Sequence, residues 1–216
     1  MLNYLACLGW NDGTEQEIYT KDELIEKFSV SKIQTSGARF DPVKILWQNG
    51  QWIRKIADEQ GIDALYTRTI GFWPDSAKDY DDEYRKKVLS IIYDRLKTLS
   101  DLREMTNYFF TDPEIDTELI VQNKFLRKFS EEELSELLQI SARKLENTEW
   151  NADSLQHALN ELLEETAKKP AELFSLIRIG LSYAPFSPAL HLTMDVLGKN
   201  VALARIHETV TALENH

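Results

Sequence analysis

The sequence predicts an all-α, mainly helical protein in which a small module is followed by two helical bundles. Three observations predict this fold class. Apolar residues recur at intervals of three and four along much of the chain, most clearly from residue 81 onward. Residues that favour helix starts precede several of these stretches. The 216 residues include only eight Gly and six Pro, which favours long helices over many short strands.

The first two predicted helices are short. Residues 2–10 are apolar and no capping residue precedes them, so we expect them to continue a longer protein. Thr20 is the predicted N-cap of a helix over residues 21–28. Any strand is expected only in the first 60 residues, because the helical pattern is weakest there.

A third predicted helix begins at Asp41-Pro42, where a capping carboxylate precedes a proline suited to the first turn. Asn49-Gly50 is expected to break this helix, which then resumes and ends before residue 61. Two aromatic side chains of this stretch are predicted in the core: Trp47 and Trp52.

The clearest amphipathic pattern predicts one helix over residues 81–99. Its wheel places Arg95 at the rim of the apolar stripe and Lys97 on the outer face. Ser130 then opens a helix with a capping-box pattern. The remaining predicted helices cover residues 117–128, 131–145, 171–181, 189–197 and 200–213, and one more helix ends at residue 168 and begins at Asn151 or Asp153.

Composition alone gives no active site. The four histidines lack the spacing of a zinc pair, and neither a glycine-rich phosphate loop nor a nucleophile elbow is present. We therefore expect no catalytic residue and no metal site. The single cysteine, Cys7, cannot form an internal disulfide, which fits a reducing cytoplasmic compartment. No apolar stretch is long enough for a membrane span.

The net charge of −11 argues against a nucleic-acid-binding protein, but the charge is unevenly distributed. Residues 85–103 hold six cations and two acids, and residues 42–57, 120–128 and 173–193 hold no acid. Such segregation suits a chain that meets phosphates on one face. The other explanation of this charge pattern is ordinary surface variation. The alternative function is an acidic helical protein–protein interaction scaffold.

Four runs of the sequence resemble the carboxy-terminal region of bacterial glutamyl-tRNA synthetases. The most specific are LNYLACLGW at residues 2–10 and ARFDP at residues 38–42, which continues through Lys44, Trp47 and Asn49-Gly50 to Arg54. Two looser runs are DRLKTL at residues 94–99 and the stretch from Leu173 to Ile206. They occur in the family's order and spacing over almost the whole chain.

The resemblance implies a domain organisation and a partner. Residues 1–57 correspond to a stem-contact module, and residues 58–117 and 118–216 to two helical anticodon-binding subdomains. The family's class I catalytic domain, which uses ATP and Mg²⁺, would precede residue 1. We therefore expect a chain that is inactive alone, binds no cofactor, and binds glutamate tRNA as a monomer.

The resemblance also implies residue roles. Arg95 matches the family arginine that reads the third anticodon base, where glutamate tRNA has cytosine and glutamine tRNA has guanine. Arg178 matches the position that meets the first anticodon base. Three further residues match the loop around the first two bases: Ser187, Pro188 and Leu190.

Other contacts are less specific. Lys44, Arg54 and Lys97 are possible contacts to the tRNA backbone. The sequence departs from the family pattern at Ala184-Pro185-Phe186, so Phe186 could equally stack on a base or pack in the core.

Overall fold

The computed structural model describes residues 1–34, 39–184 and 187–215. Its regular elements are helical, as predicted, and the β pairing recorded among these residues is one isolated antiparallel bridge between Trp10 and Ile33. None of the helices in this described part is both long enough and apolar enough to cross a membrane. The chain divides into two compact units, described separately below.

The first unit comprises residues 1–73 and 92–104. One cluster of its core is formed by Trp10, Tyr19 and Leu24. Ile53 and Ala57 are buried from the longest helix. Its helices are α1 (Leu2–Gly9), α2 (Lys21–Lys27), α3 (Pro42–Gln60) and α4 (Ile62–Thr69), with 3-10 turns at Val30–Lys32 and Tyr93–Arg95.

The second unit comprises residues 74–91 and 105–216. Helix α12 packs along α8, α11 packs on α9, and α10 contacts both α8 and α12. Its helices are α5 (Asp82–Ile92), α7 (Glu118–Val121), α8 (Glu131–Glu146), α9 (Ala152–Thr166), α10 (Pro170–Ser182), α11 (Leu190–Leu197) and α12 (Lys199–Glu214), with 3-10 turns at Asp75–Asp79 and Asn107–Phe109. The last residue of α5, Ile92, falls in the first unit. Between the units in sequence, α6 (Asp101–Thr106) crosses the division. The functional boundaries near residues 57 and 117 stay a prediction.

Local capping explains several helix starts. Thr20 accepts a hydrogen bond from the Glu23 backbone N–H, and the Glu23 carboxylate accepts one from the Thr20 N–H, which is a complete capping box. Ser130 and Glu133 form the same arrangement at α8. Asp41 accepts from the first turn of α3. These predicted starts are confirmed because capping depends on residues close in sequence.

The single helix predicted over residues 81–99 is wrong. Helix α5 ends at Ile92, and a 3-10 turn follows before the backbone becomes extended at Leu96. Ile92 and Leu96 are both fully buried, so the apolar spacing is satisfied without a continuous helix. The Asp101 carboxylate accepts from the N–H groups of Lys97 and Thr98, which gives them partners outside a helix.

The predicted break at Asn49-Gly50 is also wrong, because α3 runs unbroken through it. A Cβ atom on Gly50 would lie 3.0 Å from the Leu96 carbonyl oxygen, so glycine serves close approach here rather than helix termination. Trp47 is 41% exposed, contrary to its predicted core position. Gln48 points inward instead and donates to the Glu17 carbonyl at 3.0 Å. Trp52 is half-buried.

The helix predicted over residues 117–128 is mostly absent. Helix α7 covers only Glu118–Val121, and turns follow. The Asn123 side chain accepts from the Phe125 N–H at 2.9 Å. This local bond competes with helix continuation, which is the common effect of Asn in such positions.

Candidate nucleic-acid interface

A short loop, residues 93–98, is held against one stripe of α3; we call it the Arg95 loop. Gly50, Arg54 and Asp58 are spaced by four residues along this stripe. Asp58 accepts from the Tyr93 hydroxyl at 2.9 Å, and Arg54 Nη1 donates to the Asp94 carbonyl at 2.5 Å. Both contacts hold residues that precede Arg95 in the loop.

The other side of the loop is held near the start of the same stripe. Asn49 Nδ2 donates to the Lys97 carbonyl at 2.6 Å. Gly50 lets the Leu96 carbonyl approach closely, and the Leu96 side chain is fully buried. The Arg95 backbone therefore lies between anchored neighbours on both sides.

The Asp101 carboxylate closes the loop from its carboxy-terminal end. Oδ2 accepts from the Lys97 and Thr98 N–H groups, each at 2.9 Å, and Oδ1 accepts from the Thr98 hydroxyl at 2.7 Å. Burial raises the pKa of Asp101, but these hydrogen bonds outweigh burial and hold the pKa below its usual value. The ionised carboxylate is thus the form that fixes the loop.

The Arg95 side chain itself remains exposed, at 45% of its full area. Its Nε lies 4.0 Å from Asp94 Oδ1, and that carboxylate side chain is 60% exposed. An exposed ion pair at this distance contributes little, because water screens both charges. The guanidinium is therefore available to an incoming ligand at little cost.

The three predicted backbone-contact cations are in different situations. Lys44 is ion-paired with Glu17, and that hydrogen bond raises the pKa of Lys44. Arg54 is directed at the Arg95 loop, as described above. Lys97 has an exposed side chain that enters no ion pair with the described residues. Of the three, Lys97 is the most open to a phosphate.

Much of the predicted basic surface is locally neutralised. Arg85 pairs with Asp82 and Lys86 with Glu83 within α5. Lys128 pairs with Glu172 in the second unit. Counting cations along the sequence therefore overstates the positive charge of the surface. In the Arg95 loop, the side chains of Arg95 and Lys97 are exposed.

In the second unit, the predicted residues Arg178 and Ser187 are brought together. Arg178 Nε donates to the Ser187 hydroxyl at 2.9 Å, and that hydroxyl donates to the Pro188 carbonyl at 3.1 Å. Arg178 is half-buried, whereas Ser187, Pro188 and Leu190 are buried. Pro185 and Phe186 lie outside the described residues, so the two interpretations of Phe186 stay predictions.

Sequence reasoning missed Arg205, which is only 4% exposed. Its Nη1 donates to the carbonyls of Tyr108 and Leu181, each at 2.9 Å. Its Nη2 donates to the Thr111 carbonyl at 2.8 Å and to Asp112 at 3.1 Å. The available signal was the position of one arginine within the apolar stripe of α12, beside Ala202, Ile206 and Thr209, all of them fully buried.

The C-cap residue of α10 contacts the same helix. Tyr183 has a left-handed backbone, with φ of 46°. Its hydroxyl lies 3.0 Å from the Thr209 hydroxyl and 3.3 Å from the Arg205 carbonyl. Burial raises the pKa of Tyr183, so it stays a neutral hydrogen-bonding group. Helix α12 therefore holds the carboxy-terminal end of α10 at Leu181 and Tyr183.

No cluster of three or more His, Cys, Asp or Glu side chains that could hold a metal ion occurs within the described residues.

Comparison with known proteins gives a consistent family. A family model described as "Anticodon binding domain" matches residues 63–210. Glutamate–tRNA ligases of Roseiflexus sp. and Clostridium botulinum are each 32% identical over 100% and 99% of this chain, and the chain covers 43% of each of them. It thus spans less than half the length of the curated relatives it matches, in their carboxy-terminal part.

Solved structures support the same fold. A crystal structure of a glutamate tRNA ligase from Elizabethkingia meningosepticum matches 98% of this chain with a TM-score of 0.76 at 23% identity, using 40% of that protein. Glutamate-tRNA synthetase from Elizabethkingia anophelis matches 97% with a TM-score of 0.72 at 21% identity. The resemblance drawn from the sequence is confirmed, and the chain belongs to the anticodon binding domain family of the glutamate–tRNA ligases.

Proposed function

We propose that this chain is the tRNA-recognition part of a glutamyl-tRNA synthetase and that it binds the anticodon and inner corner of glutamate tRNA. A class I catalytic part, outside this chain, would attach glutamate to that tRNA. ATP and Mg²⁺ would be bound by that catalytic part. We expect the chain alone to be monomeric and to show no pyrophosphate exchange.

The observation that carries this proposal is the exposed Arg95 side chain on an anchored loop. A guanidinium offers only donors, which match the O2 and N3 acceptors on the pairing edge of cytosine. Guanine presents donors at the corresponding place and is disfavoured. RNA single strands are commonly read in this way, with bases turned out against protein groups. An arginine at this position therefore favours glutamate tRNA over glutamine tRNA.

The second unit would contribute to binding of the first two anticodon bases. Because Ser187, Pro188 and Leu190 are buried, we propose that they shape the surface that meets the bases, and that Arg178 contacts the first base. Lys97 would contact a phosphate beside the third base. We do not assign such a role to Lys44, because Glu17 already neutralises it.

Salt dependence tests the proposal most simply. Purified glutamate tRNA is titrated into the chain at 50 mM and 200 mM salt, with a poly-anion of equal charge as the control. Counterion release predicts that affinity falls about tenfold for a few phosphate contacts. The control should bind more weakly at both salt concentrations.

The opposite outcome would favour another class of function. An acidic protein–protein scaffold, suited to the net charge of −11, would show no preference for tRNA at either salt concentration. Absence of measurable tRNA binding at 50 mM salt would contradict the proposed function.

A further inference from the structure

Two of the sequence runs that carry the resemblance contact each other in the folded chain. The run that contains Asn49-Gly50 and Arg54 lies on α3, and the run that contains Arg95 lies on the Arg95 loop. The contacting residues are at least 40 positions apart in sequence, yet each anchored carbonyl of the Arg95 loop faces a residue of α3. Neither run, taken by itself, indicates that the two are in contact.

We propose that Asn49, Gly50 and Arg54 are positioning residues for Arg95, and that they set the choice of the third anticodon base without touching the RNA. The inference rests on the proposed function of Arg95. It assigns Arg54 a role different from the tRNA-backbone contact expected from the sequence.

The geometry of the anchors carries this assignment. A base-reading side chain must be held within about 0.5 Å of its productive position. Arg54 fixes the carbonyl immediately before Arg95, and Asn49 fixes the carbonyl two residues after it. Gly50 lets Leu96 approach α3 to a distance that a larger residue would prevent. The Arg95 side chain is exposed, but the backbone that carries it is constrained on both sides.

The chemistry of Asn49 separates positioning from phosphate binding. Asn49 is uncharged, so replacing it leaves the attraction of the chain for RNA phosphates unchanged. Its Nδ2 donor is engaged with the Lys97 carbonyl at 2.6 Å. Loss of this bond releases the loop without removing any cation. An effect of Asn49→Ala on base choice would therefore act through the loop.

The experiment compares two forms of glutamate tRNA that differ only in the third anticodon base, cytosine or guanine. The affinity ratio and the salt slope are measured for the whole chain and for Asn49→Ala and Arg54→Met. Lys55→Met is the matched control, because Lys55 is also a cation on α3 but pairs with Glu59 instead of the loop. Far-ultraviolet circular dichroism verifies that each variant is folded.

Positioning predicts that Asn49→Ala and Arg54→Met each lower the cytosine preference about fivefold and leave the salt slope unchanged. Lys55→Met should leave the preference unchanged. If Arg54 binds a phosphate instead, Arg54→Met should reduce the slope by roughly 0.7 while the preference stays the same, and that result overturns the assignment for Arg54. If Asn49→Ala leaves the cytosine preference unchanged, the positioning role of Asn49 is overturned.

Arg95→Gln separates this inference from the proposed function. If Arg95→Gln leaves the base preference intact, the proposed reader is wrong and the positioning inference falls with it. If Arg95→Gln lowers the preference but the α3 variants do not, only the positioning inference is overturned. In the double variant Asn49→Ala/Arg95→Gln, the preference should be no lower than in Arg95→Gln alone, because Asn49 acts through Arg95.

Discussion

The two regions predicted to meet the anticodon are built in different ways. The Arg95 loop fixes its backbone through α3 and leaves the arginine side chain exposed. The region around Arg178 uses its side chains internally, with Arg178 bonded to Ser187 and with Leu190 buried. One region presents a functional group, whereas the other presents a surface.

This difference separates specificity from stability. A substitution of Arg95 removes few internal contacts, so it should change the choice of RNA more than the free energy of unfolding. Substitutions in the second region break hydrogen bonds within the fold, so their first effect should be on stability. The predictions below test this separation, beginning with the largest expected effect.

Replacing the buried Arg205 should destabilise the second unit most. Arg205→Met leaves the carbonyls of Tyr108, Leu181 and Thr111 without their arginine donor. The bonds to Tyr108 and Leu181 are buried, and a buried unpaired acceptor costs about 1–3 kcal/mol, so we expect the free energy of unfolding to fall by at least about 2 kcal/mol. Urea denaturation measures this loss. Asp112→Asn is the control and should cost under about 1 kcal/mol, because the Asp112 side chain is 91% exposed.

Gly50→Val should disturb the contact between α3 and the Arg95 loop. The Cβ atom would meet the Leu96 carbonyl at 3.0 Å, and the branched side chain adds further atoms there. Overpacking of this kind costs about 1–3 kcal/mol. Thermal unfolding should show the loss. Gly9→Ala serves as control, because no heavy atom lies within 4 Å of its added Cβ; a loss as large as that of Gly50→Val would contradict the steric account.

The Asp101 carboxylate should give stability that depends on pH. Its folded-state pKa is lowered from 3.8, so its contribution is present above that value and is lost as pH falls through the lower folded pKa. Asp101→Asn should cost about 1 kcal/mol at pH 7, the usual scale of a lost capping carboxylate. The cost should shrink below about pH 4. Urea denaturation of the original chain and of Asp101→Asn at pH 7 and pH 3 measures this cost. The same loss of stability in Asp101→Asn at both pH values would contradict the account.

The Arg178–Ser187 hydrogen bond should give the smallest measurable effect. A double-mutant cycle of Arg178→Met and Ser187→Ala should show a coupling energy of about 0.5–1.5 kcal/mol in the free energy of unfolding. The coupling should be present without RNA, since both partners bond to each other in the chain alone. Coupling that appears only when tRNA is bound would mean that Arg178 is presented in the same way as Arg95.

Helix starts could be predicted where the decisive contacts are local. Thr20 and Ser130 identify their helices because each cap lies within three residues of its partner. The all-helical fold follows from this and from the apolar spacing. The loop at residues 93–98 could not be predicted, because α3 and Asp101 together outweigh a helical pattern that is locally favourable.

The candidate site shows the same division. Arg95 was identified through a sequence motif, but its exposed position on a 3-10 turn, beyond the end of α5, depends on tertiary contacts. Gly50 was predicted to break the helix, because the sequence does not show that the Leu96 carbonyl packs against this glycine. Arg205 was overlooked although it lies in the apolar stripe of α12, because the backbone carbonyls that it bonds leave no signature in residue types.

The central claim is that Arg95 reads the third anticodon base. The most direct measurement is the affinity of the chain for glutamate tRNA with cytosine or guanine at that base, for the original sequence, Arg95→Gln and Lys97→Gln. One base contact of this kind is worth about 1–3 kcal/mol, so Arg95→Gln should reduce the cytosine preference by that amount, whereas Lys97→Gln should weaken both tRNAs equally. Equal weakening of both tRNAs by Arg95→Gln would contradict the account.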